Sequence, residues 1–152
     1  MKTENIKFKA KRLDNGEWVK GSLVKTPFGT FIEWYEDSIC NKRKVNPDTV
    51  CQFIGFLDKK GKEVYESDVL RSNNYPFSCV DDNVYDNYYG ILGWSEQTAV
   101  FYIATVVNPK ASVGGISHGN CDYISQNLLS DFEVIGSAHD KEWQEKLKLK
   151  SE

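Results

Sequence analysis

A short charged turn held between two apolar runs limits what this chain can fold into more than any other stretch. Phe53-Ile54-Gly55-Phe56-Leu57 runs into Asp58-Lys59-Lys60-Gly61, and the apolar pattern resumes at Val69-Leu70. Runs this brief fit strands better than helices, which need several turns to bury a face. The turn has the composition that reverses a chain, and Gly61 can take positive φ without steric cost. Residues 63–68 then read as a tight corner feeding a new strand. The segment predicts a hairpin and a corner, and with them a mainly β protein.

The sequence before it agrees. Ile6, Phe8 and Ala10 alternate with Lys7, Lys9 and Lys11, the period-two pattern of a half-buried strand. Asp14-Asn15-Gly16 supplies a hairpin turn, and residues 17–24 return as a second strand with Trp18 its bulkiest anchor. Thr26-Pro27-Phe28-Gly29 is another turn, and residues 30–35 a third strand. Pro47 disfavours helix in the residue before it, and a soft boundary falls near residue 50.

Beyond Asp68, short strands are separated by long polar loops. Strands are predicted over 68–71, 90–94 and 99–107, with a closing strand at Phe132-Glu133-Val134-Ile135. The 99–107 strand is apolar on both faces and is expected to be covered on both. Residues 123–129 read as either a helical turn or a short strand. Asp140 can cap a last helix in which Trp143 and Leu147 share a face; that helix is either a lid on the sheet or a contact for another subunit. Several short antiparallel strands suit a small barrel better than a sandwich, which needs about seven.

Residues 52–70, QFIGFLDKKGKEVYESDVL, resemble the hallmark of the YopX-like family of phage and prophage proteins, roughly Q-F/Y-T-G-L-x-D-K-x-G-K-E-I-Y-E-G-D-I/V-V/L. Residues 8–23, Val45-Asn46-Pro47-Asp48-Thr49-Val50 and Phe132-Glu133-Val134-Ile135-Gly136-Ser137 are similar to the family too. About 72–89 and 108–126 are this chain's own. The chain departs at Ile54 and Ser67, where the family usually has Thr and Gly. If that Gly sits at positive φ, Ser67 strains the corner by about 1 kcal/mol. The resemblance implies a phage-type accessory protein with an SH3-like barrel and no settled activity, and it brings no catalytic residues. The expected architecture is an N-terminal antiparallel hairpin or sheet over 1–50, an SH3-like β-barrel over 51–138 and a short C-terminal helix over 139–152.

The composition, 40% hydrophobic and 27% charged, belongs to an ordinary soluble protein. No apolar run is long enough for a membrane helix, and the first residues lack a signal-peptide pattern, so the expected location is cytoplasmic. Cys40, Cys51, Cys79 and Cys121 show no metal-ligand spacing and are expected to stay reduced. Net charge is −3, but residues 1–62 carry thirteen Lys and Arg against eight acids, while residues 63–140 carry two against eleven. Basic and acidic parts either pack together within one molecule or make head-to-tail contacts between neighbouring chains in a homo-oligomer.

Binding residues come from two places. Residues 72–89 mix tyrosine, asparagine and acid as adaptable binding loops do, and Tyr75, Phe77, Tyr85, Tyr88 and Tyr89 are its candidate contacts for a protein partner. Lys7, Lys9, Lys11 and Arg12, with Lys42, Arg43 and Lys44, could hold nucleic acid. The bland reading of the first row is protection of a sheet edge.

Catalysis finds less footing. Asp81, Asp82 and Asp86 fail the calcium-loop template, and the Gly-rich 112–120 stretch lacks phosphate-loop spacing and reads as a connector. His118 and His139 have no nucleophile and carboxylate set around them. The expectation is a non-enzymatic protein with no cofactor and no metal. It self-associates and presents the tyrosine-rich loop, with nucleic-acid binding as the alternative and a carboxylate hydrolase a distant third.

Overall fold

The computed structural model describes residues 2–72, 88–106, 116–117 and 124–151. The chain divides into two compact units, Met1–Gly55 and Phe56–Glu152, and is mainly β throughout.

In the first unit, β1 (Phe8–Lys11), β2 (Trp18–Thr26), β3 (Gly29–Glu36), β4 (Ile39–Lys44) and β5 (Cys51–Leu57) follow in sequence. Their order across the sheet is β4-β3-β2-β1-β5. The β1–β2 turn closes with the Gly16 amide donating to the Arg12 carbonyl at 3.0 Å, and Gly16 takes φ 74° as its sequence predicts. Asp37 and Ser38 turn β3 into β4 at φ 48° and 64°, the conformation of a two-residue primed turn. A 3-10 turn at Pro47–Thr49 leads into β5, with the Asn46 side chain accepting from the Asp48 amide.

Alternation along these strands sends Phe8, Ala10, Val19, Leu23, Ile32 and Trp34 to one side. There they pack with Val45 and Val50, and Ala10, Ile32 and Val45 are the fully buried members. Gly21 permits close approach of β3: a Cβ there would lie 2.2 Å from the Glu33 carbonyl oxygen.

The reading of the β1 lysines as edge protection is overturned. β1 is an interior strand, paired with β2 on one side and β5 on the other.

In the second unit, the end of β5 turns through residues 58–61 into β6 (Glu63–Tyr65), its neighbour in the sheet order. A corner at Glu66 and Ser67 then delivers the chain into a separate antiparallel sheet. That sheet holds β7 (Asp68–Ser72), β8 (Tyr88–Ser95), β9 (Val100–Val106), β10 (Ile116–Ser117) and β11 (Glu133–Ser137), in the order β10-β9-β8-β7-β11. α1 (Gln126–Leu129) precedes β11 and α2 (Lys141–Ser151) follows it. Within the ambiguous stretch 123–129, Gln126–Leu129 form a helical turn, capped by the Ser125 hydroxyl accepting from the Leu128 amide at 3.2 Å.

Val64, Tyr65, Val69, Leu70, Leu92, Ile103, Leu129, Phe132 and Val134 are buried in this unit. Leu92 and Ile103 stand opposite one another in the β8–β9 ladder, and Val134 stands opposite Leu70. The two-sided cover expected of β9 is partial, since Ile103 is buried while Val100 is 49% exposed.

The SH3-like barrel expected for 51–138 is not found. Among the described residues no sheet closes on itself, and β10 and β11 stand at opposite edges. Closure requires first and last strands to pair. Instead β11 ladders onto β7 through a bulge between Val134 and Gly136, and its other side takes groups of the 58–61 turn.

Candidate functional site

The conspicuous polar residues of 52–70 hold the fold together. Asp58 is 5% exposed. Its Oδ1 accepts from the amides of Lys60 and Lys62, each at 2.8 Å, and its Oδ2 from the Val134 amide at 2.9 Å. Asp68, 1% exposed, accepts from the Tyr65 amide at 2.8 Å. The Tyr65 hydroxyl donates to Glu63 at 2.7 Å, and burial first, then that carboxylate, pushes the phenol above its usual range. Asp58 and Asp68 are therefore engaged by backbone amides and Glu63 by the buried phenol.

Ser67 sits at φ 64°. The strain expected at this corner is present. Its amide donates to Leu92 O and its carbonyl accepts from the Ala138 amide, both at 2.7 Å, so the corner is fixed from two sides.

A different arrangement appears on the sheet of the first unit. The face opposite its apolar core receives the odd residues of β1 and β3 and the even residues of β2 and β4, as the strand registers require. Lys9 and Lys11 both lie over the Trp18 ring, at 4.7 and 5.3 Å from its centroid. Lys7 lies over Phe53 at 4.4 Å and Lys42 over Phe31 at 5.0 Å. Lys20 follows Trp18 on the same side of β2. Lys44 stands beside Phe31 in the β3–β4 register and passes over Gly29, where a Cβ would meet its Cε at 2.5 Å. Glu33 is the acid that the β3 alternation adds to this face.

Cation–π contacts of this kind contribute about 0.5–1 kcal/mol each at exposed sites. They keep the ammonium groups close above the rings. Trp18 and Phe31 are half-buried, Lys20, Lys42 and Lys44 exposed, and Lys9 buried.

The structure divides the basic residues singled out in the sequence. Lys7, Lys9, Lys11, Lys42 and Lys44 share one face. Arg12 is drawn away: its guanidinium donates to both Asp14 oxygens at 2.8 and 2.6 Å and lies 3.8 Å from Glu17. The hydrogen bond between Arg12 and Asp14 holds the carboxyl below its ordinary range and the guanidinium above its own. Arg43 pairs with Ile32 on the opposite face and donates to the Lys42 carbonyl at 2.9 Å. Sequence reasoning missed Lys20 and Phe31. The signal was there in the period-two match of Trp18 and Lys20 to the lysines of β1.

Of the tyrosine-loop candidates, Tyr75, Phe77 and Tyr85 lie outside the described residues. Tyr88 opens β8. Tyr89 faces Trp143 of α2, ring centroids 6.3 Å apart and tilted by 47°. Asp81, Asp82, Asp86, His118, Cys79 and Cys121 also fall outside the described residues, as does most of the 112–120 stretch. Cys40 is an exposed thiol and Cys51 a buried one, neither in a disulfide, and the Cys51 thiol donates to the Thr49 carbonyl at 3.3 Å. Among the described residues no group of three or more His, Cys, Asp or Glu could hold a metal ion, and no helix is long and apolar enough to cross a membrane.

The fold defines a protein of two β-rich units, one of which carries a lysine-clad aromatic face. The family profile described as YopX protein matches residues 7–142, and the chain belongs to that family. No curated protein matches it.

Proposed function

We propose that this chain is a non-enzymatic accessory protein of a phage or prophage, working in the cytoplasm by binding, with nucleic acid as its ligand. One observation carries the reading: Lys7, Lys9, Lys11, Lys20, Lys42 and Lys44 share a sheet face with Trp18 and Phe31, and Glu33 is the acid that the described strand positions of β1–β4 add to it. Lysines interleaved with aromatic rings suit a polyanion that also offers stackable bases. The acidic stretch 63–140 repels a polyanion, which leaves this face as the favoured landing place. Binding is favoured over catalysis because two carboxylates of the family hallmark, Asp58 and Asp68, are occupied in holding backbone.

Fluorescence anisotropy of labelled DNA and RNA across a salt series tests the proposal. Affinity falls steeply with salt, and replacing Lys11 and Lys42 by Gln lowers the slope of log K against log salt by about 2. Absence of binding at low salt defeats it.

The charge contrast between residues 1–62 and 63–140 favours a second reading, self-association through head-to-tail contacts that presents residues 72–89 to a protein partner. Light scattering after gel filtration at low and high salt decides that one. A monomer at every salt concentration ends it.

A further inference from the structure

Resting on the nucleic-acid reading, we propose that the ligand is duplex DNA, and that Phe28 at the tip of the β2–β3 hairpin is a wedge that enters a base step and bends the duplex. Phe28 is 83% exposed, more than any other large apolar side chain among the described residues. Single exposed apolar residues are common, so the argument rests on where this one stands. Thr26 pairs with Gly29, leaving Pro27 and Phe28 as a two-residue tip. The Pro27 ring fixes its own φ. The Thr26 hydroxyl accepts from the Phe28 amide at 3.1 Å and donates to the Gly29 carbonyl at 3.3 Å, and Gly29 takes the positive φ, 138°. The tip is therefore stiff, and it holds the ring in water at no cost in loop order.

Shape and charge at the tip suit a duplex groove. The ladder with β1 ends at Gly21 on β2, and the ladder with β4 ends at Phe31 on β3. Among the described strands only the hairpin's own two reach Thr26 and Gly29, so the apolar end is narrow. An apolar side chain on such an end is what opens a base step from a minor groove about 6 Å wide. No acid occurs between Lys20 and Glu33. Lys25 is exposed on one side of the hairpin, and Lys44 passes over Gly29 on the other. A groove has a phosphate backbone along each rim, and a cation on each side of the wedge serves both. A single strand, with one backbone, uses one of them. Unstacking a step is costly, and the phosphate contacts that a bend adds offset it. The opposite end of β3 gives the contrast, since its turn carries Glu36 and Asp37, which a polyanion repels.

The test uses the full chain and a duplex of about 25 base pairs, with a fluorescence donor and acceptor at its two ends and 2-aminopurine beside a central TA step, which unstacks easily. At saturating protein and low salt, energy transfer rises to that of a bend of about 40° or more, and 2-aminopurine brightens as its step opens. Phe28→Ala weakens binding about tenfold and, when saturated, leaves the duplex straight and the 2-aminopurine dark. Phe28→Leu, still an apolar wedge, keeps most of both signals. Because Phe28 is exposed, the circular dichroism and melting temperature of both variants match the parent, which separates loss of the wedge from loss of structure. A bound duplex that stays straight, or a Phe28→Ala complex bent like the parent's, overturns the wedge and leaves the nucleic-acid reading standing. Binding of single strands alone does the same. Failure to bind either form overturns both.

Discussion

The carboxylate of Asp58 accepts the amide of Val134 at 2.9 Å, joining a hairpin turn to a strand 76 residues further along the chain. Its second oxygen closes the turn on itself through Lys60 and Lys62. One buried side chain thus sets the local reversal and fixes where β11 lies. The Lys59 amide donates to the Phe132 carbonyl at 2.8 Å and reinforces the junction.

Replacing Asp58 should therefore be costly in proportion to the amides left without an acceptor. Asp58→Ala strands three buried or half-buried N–H groups and is expected to cost about 4 kcal/mol. Asp58→Asn keeps the Oδ1 contacts but turns an amide donor toward Val134, for about 2 kcal/mol. Urea unfolding of both variants measures this. Costs below about 1 kcal/mol for both would show that water satisfies the turn as well as the carboxylate does.

Ser67 holds left-handed backbone, φ 64°, that glycine adopts without the Cβ clash. Ser67→Gly should raise stability by about 1 kcal/mol, the relief of strain outweighing the added freedom of the unfolded chain. Ser67→Ala should not, because alanine keeps the Cβ. A melting temperature that rises equally in both variants would place the strain elsewhere.

How the chain announced its fold depends on which side chains meet water. β1, β2 and β3 alternate clearly because one face covers Ala10, Val19 and Ile32. β4 escaped notice because its pairs with β3 leave Ile39, Cys40, Lys42, Arg43 and Lys44 exposed, so no apolar alternation marks it. Its turn also uses Asp37 and Ser38 where Asn-Gly is the usual signal. The interior position of β1 was hidden for a related reason. Lys9 is 9% exposed, and a lysine can be covered when its stem lies along an indole. Asp58 and Asp68 were visible only as hallmark letters, because their partners are backbone amides, which any sequence supplies. Tyr89 looked like part of a binding loop, yet its contact is Trp143, and such long-range pairing leaves no periodic trace.

Gly136 and Trp143 form another pair that periodicity does not reveal. A Cβ on Gly136 would lie 2.3 Å from the indole Nε1, so β11 must be bare there for α2 to settle. Gly136→Ala is expected to cost about 2 kcal/mol through forced displacement of the indole. In a Trp143→Ala background the same change should cost less than about 0.5 kcal/mol, because the two residues act through one contact. Additive losses in that double-mutant cycle would mean that Gly136 is needed for the β11 bulge and not for the helix.

Acid should loosen the same strand through its first residue. The Glu133 carboxylate accepts from Lys60 on one oxygen and from Arg71 on the other at 2.8 Å, with Lys59 at 3.8 Å. Those hydrogen bonds, Lys60 first and Arg71 next, lower its pKa to about 2. In the unfolded chain the group titrates in the ordinary carboxylate range. Its contribution is thus fully present above that range and is lost as pH falls toward about 2, where both states are protonated. Glu133→Gln should unfold more readily than the parent at neutral pH. The gap should narrow from the ordinary carboxylate range downward and close near pH 2. Urea midpoints collected down that pH series give the answer: a gap of constant size would show that Glu133 acts through packing, and no gap at neutrality would show that the three cations are indifferent to its charge.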